Sequence, residues 1–149
     1  MSVSYDVFTG AFLAKLTDFD YVDMRMEDRI HMIDGYMMKA FSAFRKNCKY
    51  DFFTTRDDVI RRFDVDVPEE DLEEIADIVS DGMLVQWMKP YVYRQENLEN
   101  ALSTKDFSLY SPSSLLQRIG EAYAKAQTDF KQAIREYSYN HGDLTSLHL

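Results

Sequence analysis

The stretch Ser111–Tyr137, SPSSLLQRIGEAYAKAQTDFKQAIREY, carries the clearest periodic signal in the chain. Leu116, Ile119, Tyr123, Ala126, Phe130, Ala133 or Ile134, and Tyr137 recur at intervals of three and four, which keeps them on one side of an α-helix. Ser111 caps the free N–H groups of the first turn, and Pro112 fits the first helical position, where the N–H it lacks is not needed. Tyr139-Asn140-His141-Gly142-Asp143 is a stop signal. The spacing predicts a helix over 112–138, roughly 40 Å long, which exceeds the usual three or four turns. It reads as the spine against which the other helices are laid.

Working outward, a second long helix is expected over about 24–47. Ile30, Ile33, Met37, Ala40 or Phe41, Phe44 and Cys48 repeat at three and four, with acids early and Arg45, Lys46 and Lys49 late, as the helix dipole favours. Gly35 inside this pattern costs up to ~1 kcal/mol relative to Ala; it marks either close approach by a neighbour or a tolerated surface position. Shorter helices fill the rest. Thr9–Leu16 is one, and Thr54–Asp58 caps another that ends near Arg62 or Phe63. Pro68 opens a further helix with Glu69, Glu70 and Asp71 in its first turn, and Asp81-Gly82 either bends it or divides it in two. Pro90 should kink or end that segment, and Gln95–Leu102 is a last short helix. Gly142–Leu149 alternates apolar and polar residues, an extended arm if it finds a partner and a frayed end otherwise. The expectation is an all-α bundle with two long helices, one domain over 1–141 and an extended C-terminal arm over 142–149.

Composition agrees with that class. A chain of 149 residues, 46% hydrophobic, supports one domain with a real core. Ten Phe, ten Tyr and eight Met against five Gly and three Pro suit interdigitating helices better than a turn-rich β-sandwich. The single cysteine, Cys48, has no partner for an intrachain disulfide and points to synthesis in a reducing interior, as a small buried hydrophobe. Neither a leader nor an apolar run of about 20 residues is visible, so neither secretion nor membrane insertion is expected. Seventeen basic against 26 acidic residues give a net charge of −9, which opposes a tight grip on phosphate backbones.

The chemistry-bearing motifs are mostly absent. The sequence holds no phosphate-binding glycine loop, no nucleophile elbow and no H-E-x-x-H. His31, His141 and His148 are too scattered for a histidine metal triad. Asp64–Asp71 has the acidity of a calcium loop but neither its glycine nor its ligand spacing. A helix-turn-helix over Thr55–Trp87 would present Glu69, Glu70, Asp71, Glu73, Glu74 and Asp77 where base edges call for Arg, Lys, Asn or Gln. No catalytic, cofactor-binding or metal residues are assigned, and no enzyme is expected.

The segments Gln86–Val92 (QWMKPYV), Glu96–Leu98, Ser103–Pro112 (STKDFSLYSP) and Tyr137–Leu144 (YSYNHGDL) resemble the small helical head–tail connector, or adaptor, proteins in the neck of tailed bacteriophages. The likeness covers roughly the C-terminal half, and for the N-terminal half it is one of helix layout. It implies a virion structural protein made in the host cytoplasm. Its copies would form a dodecameric ring below a portal protein, lengthening the DNA channel and offering a surface to a stopper or tail protein, with genomic DNA passing without sequence-specific binding. The helix over 112–138 would be the ring wall and Gly142–Leu149 the arm that grips the portal. Trp87, Tyr91 and Tyr93, beside Met83 and Met88, are core or interface residues; with Tyr139, Leu144, Leu147 and Leu149 they make the expected partner-binding set. Other readings are a stopper or tail-completion protein, a small cytoplasmic regulator acting as a helical dimer, and a helical enzyme with a cryptic site.

Overall fold

A long helix that is apolar on several sides has to be surrounded, and Glu69–Tyr93 is such a helix. Ile75, Ala76, Ile78, Val79, Met83, Leu84, Val85, Trp87 and Met88 are all buried, so no single stripe separates core from solvent. The computed structural model describes residues 2–16, 30–93 and 112–141. In chain order these form β1 (Val3–Ser4), α1 (Asp6–Leu16), α2 (Ile30–Phe44), β2 (Arg56–Asp57), β3 (Arg62–Phe63), α3 (Glu69–Tyr93) and α4 (Pro112–His141). The other three helices all pack on α3.

The fold is therefore mostly helical, with three departures from the expected bundle. The hub is α3 and not the spine expected over 112–138. That helix exists as α4, but its Tyr123, Ala126 and Tyr137 are buried while Phe130, Ala133 and Ile134 are only half-buried, the pattern of a helix laid against one side. Secondly, α3 is one continuous helix: Asp81-Gly82 does not break it, and it runs past Pro90 to Tyr93. It is longer than the described α2, which ends at Phe44, where the N–H groups of Asn47 and Cys48 close a final turn on its carbonyl. The expected start of that helix before Ile30, the helix over Gln95–Leu102 and the arm over 142–149 lie outside the described residues.

Thirdly, the short helix expected after Thr54 is a β-hairpin. β3 pairs antiparallel with β2 (Arg56↔Phe63, Asp57↔Arg62) and with β1 (Val3↔Phe63, Ser4↔Arg62), giving a small sheet in the order β1-β3-β2. The cause is local side-chain bonding that outcompetes the helix. Asp51 accepts from the Thr54 N–H at 3.0 Å and from the Thr54 hydroxyl, while the Thr55 hydroxyl donates back to the Asp51 carbonyl at 2.6 Å. Asp57 Oδ1 then accepts from the N–H groups of Val59 and Ile60, which folds the chain into the turn. Arg61, at φ 54°, completes the reversal in the left-handed region.

Two aromatic groups lock these elements. Phe8 of α1, Phe41 of α2, Phe52 of the connector and Phe63 of β3 meet mostly edge to face, with Phe41 stacked on Phe52 at 4.9 Å. On the other side of the core, Phe44 of α2 meets Tyr137 of α4 edge-on at 5.0 Å. Lys15 at the end of α1 is fastened to α3, donating to Asp77 Oδ1 at 2.8 Å and to Asp81 Oδ1 at 2.7 Å. Burial raises the Asp81 carboxyl above the usual range even with Lys15 beside it.

Of the described glycines, Gly82 is the one pressed closely by its neighbours. A Cβ there would stand 2.7 Å from Phe130 Cζ and 2.8 Å from Ala40 Cβ, so α2, α3 and α4 come together at the one position in α3 that lacks a side chain. Gly35, the glycine for which close approach was one of two expectations, has open space where its Cβ would be. The two glycines thus predict opposite effects. Gly82→Ala lowers the unfolding free energy by about 1–3 kcal/mol through overpacking, despite alanine's better helix propensity. Gly35→Ala raises it by up to ~1 kcal/mol. Urea denaturation of the two variants beside the parent chain checks both signs.

Candidate functional site

The most exposed large apolar side chains among the described residues sit together at the hairpin tip, where Val59 is 92% and Ile60 62% exposed. Isolated apolar surface residues are ordinary; two adjacent β-branched ones on a fastened turn are less so. Three contacts hold the tip. The Tyr5 hydroxyl donates to Asp58 Oδ1 at 2.6 Å, and burial together with that carboxylate pushes the phenol above its usual range. The Tyr5 N–H donates to the Arg61 carbonyl at 3.0 Å. The Arg61 guanidinium forks onto Asp34 of α2 through Nε and Nη2, both at 2.8 Å, and reaches Asp6 of α1 at 3.0 Å. Asp34 is the main reason the guanidinium holds its proton even more firmly than a free arginine. The tip is thus a stiff apolar knob whose direction is set by α1 and α2 together.

A second cluster lies where the first turns of α3 meet the last turn of α4. Asp71 and Glu74, three residues apart, share one face of α3. His141 closes α4 with Nε2 at 2.9 Å from Glu74 Oε2. Its ring lies against Tyr137 at 4.4 Å and 30°. The Tyr50 hydroxyl donates to Asp71 Oδ2 at 2.5 Å. Buried Tyr137 accepts from the Lys49 N–H at 3.1 Å, and burial raises its phenol above the tyrosine range. Cys48 is half-buried beside this group, and burial pushes its thiol up as well, which makes it a poor nucleophile. One donor atom from each of Asp71, Glu74 and His141 lies within 4.8 Å of the others.

The residues expected to bind partners are dispersed. Trp87 is 1% exposed and belongs to the core, because α3 is enclosed on that side. Tyr91 and Tyr93 fall in the last turn of α3. Tyr139, 55% exposed on α4, is on the surface as expected. Leu144, Leu147 and Leu149 lie outside the described residues. The hairpin tip falls within the expected short helix and so is absent from the expected partner-binding set; its one sequence signal is the apolar pair Val59-Ile60 framed by Asp57-Asp58 and Arg61-Arg62. The second cluster was missed because Glu74 and His141 are 67 residues apart. Among the described residues no helix is long and apolar enough to cross a membrane. Comparison of the chain with protein-family models, with curated proteins and with solved structures finds no match.

The Tyr50–Asp71 bond generates a pH prediction. The neutral phenol is the donor, and mainly for that reason its pKa is pushed up to about 12. An unfolded tyrosine titrates near ~10. The bond therefore contributes fully below pH ~10 and is lost as pH rises through about 12. Tyr50→Phe should remove this contribution, lowering stability at neutral pH by on the order of 1 kcal/mol. It should also delete one late-titrating phenol from the alkaline ultraviolet difference spectrum.

Proposed function

We propose that the chain is a virion structural protein, a head–tail connector whose copies assemble into a ring beneath a portal protein and offer a surface to the next neck or tail component. The reading rests on the resemblance of its C-terminal half to such adaptors, and the structural observation that supports it best is the stiff apolar hairpin tip. A subunit in a ring needs one surface that fits a different surface on its neighbour. Val59 and Ile60 are suited to this, since Arg61 and Asp57 fix the turn beforehand and little ordering entropy remains to be lost on docking. In this reading α4 is the ring wall, Tyr139 lies on a contact surface, and Gly142–Leu149 is the arm that adds to an edge of the portal. The net charge of −9 suits a channel through which DNA passes without adhering.

The cluster of Asp71, Glu74 and His141 is the feature an enzymatic reading would start from. It is partly open to solvent; Glu74 and His141 are bonded to each other and Asp71 to Tyr50, which favours a fastening role over a reacting one.

Native mass spectrometry of the chain, alone and mixed with a portal from the same source, tests the proposal. Rings or a complex with the portal are the expected result. Val59→Asp combined with Ile60→Asp should abolish ring formation while leaving the melting temperature within a few degrees, because both side chains already face water. A variant ending at Asn140 should lose the portal. A small oligomer indifferent to the portal and to all these changes overturns the connector reading in favour of a dimeric regulator.

A further inference from the structure

We propose that Asp71, Glu74 and His141 form a binding site for a divalent transition-metal ion of the zinc type, which pins the end of α4 to the beginning of α3. The donor set is one imidazole nitrogen and two carboxylate oxygens, three protein ligands to which water would add the fourth. Zinc accepts this mixture, whereas calcium and magnesium prefer oxygen donors alone.

The geometry is close to what such an ion needs. With metal–ligand bonds of ~2.0–2.2 Å, tetrahedral ligands stand about 3.3–3.6 Å apart. Glu74 Oε2 and His141 Nε2 are already 2.9 Å apart, and all three donor atoms lie within 4.8 Å. Shifts of roughly an ångström, within the reach of Asp and Glu rotamers, complete the polyhedron. The ion replaces the direct Glu74–His141 contact and satisfies both partners, while the carboxylate charges offset the positive end of α3 that would otherwise repel it.

Two contacts from outside the ligand set hold it in place. The Tyr50 hydroxyl on Asp71 orients the carboxylate while occupying only one of its lone pairs, and the Tyr137 ring fixes the plane of His141. The ligands come from two helices, so binding requires both to be folded and docked. His141 is the last residue of α4, so the ion also fixes the end of that helix. The inference stands apart from the connector reading, since it concerns the folded subunit alone.

Titration of the metal-stripped full chain with Zn²⁺ by calorimetry, and with Co²⁺ by visible absorption, tests it. One ion per chain, a rise in melting temperature and the intense absorption of four-coordinate Co²⁺ are expected. Glu74→Gln and His141→Ala should each weaken binding by at least ~10-fold, and Tyr50→Phe, which keeps all three ligands, should weaken it in the range of about 10-fold. His31→Ala, on the exposed face of α2, should bind as the parent does. Helix content and melting of each stripped variant show that the fold is retained. The proposal is overturned if neither ion binds saturably, or if Glu74→Gln, His141→Ala and the parent bind alike.

Discussion

Three helices approach one another at Gly82 more closely than any side chain permits, and the rest of the structure is arranged to keep that approach. A helix with a Cβ at this position would hold Phe130 and Ala40 farther off. The aromatic contacts on both sides of the crossing depend on the spacing. Phe44 reaches Tyr137 only because α2 and α4 both lean on α3, and the knot of Phe8, Phe41, Phe52 and Phe63 fills the space that α1 and the sheet enclose at the other side. Interiors packed to this density respond to a single added methyl group, so one residue without a side chain sets the geometry of the whole helical layer.

Charge does its structural work at the ends of elements. Lys15 ties the last turn of α1 to the middle of α3, Arg61 ties the hairpin to α1 and α2, and Glu74 with His141 ties the beginning of α3 to the end of α4. In each case a side chain near a terminus bonds across to another element, in positions shielded enough to outlast the screening that weakens fully exposed pairs. By contrast, Lys125 and Asp129, one turn apart on the open face of α4, support only their own helix.

How much of this was legible in the sequence follows from how each element is buried. α4 was legible because it touches the protein on one side, which writes a stripe with period 3.6 into its residues. The central place of α3 was not, since a helix covered by three neighbours loses its stripe, and Asp81-Gly82, which in sequence suits a bend or a division, is a crossing point inside one helix. The hairpin was hidden for another reason. Its shape is decided by the Asp51 and Asp57 carboxylates bonding nearby N–H groups and by an arginine at positive φ, and none of these alters the hydrophobic pattern. Tyr139 was recognisable as a surface aromatic, whereas the meeting of Asp71, Glu74 and His141 exists only after the chain has brought its two ends of helix together.

The pairing of β1 with β3 also bears on the order in which the molecule is made. Ser2 and Arg62 are bonded across 60 residues, so β1 leaves the ribosome without its partner until the hairpin follows it. At ~5–20 residues per second this wait lasts several seconds, during which Tyr5, Phe8 and Phe12 have no finished core to enter. The crossing at Gly82 adds a second interval, because α2 and α3 are made before Phe130, which completes it. A nascent chain of this protein therefore carries aromatic side chains that wait twice in succession for later-made partners, first Phe63 of the hairpin and then Phe130 of α4.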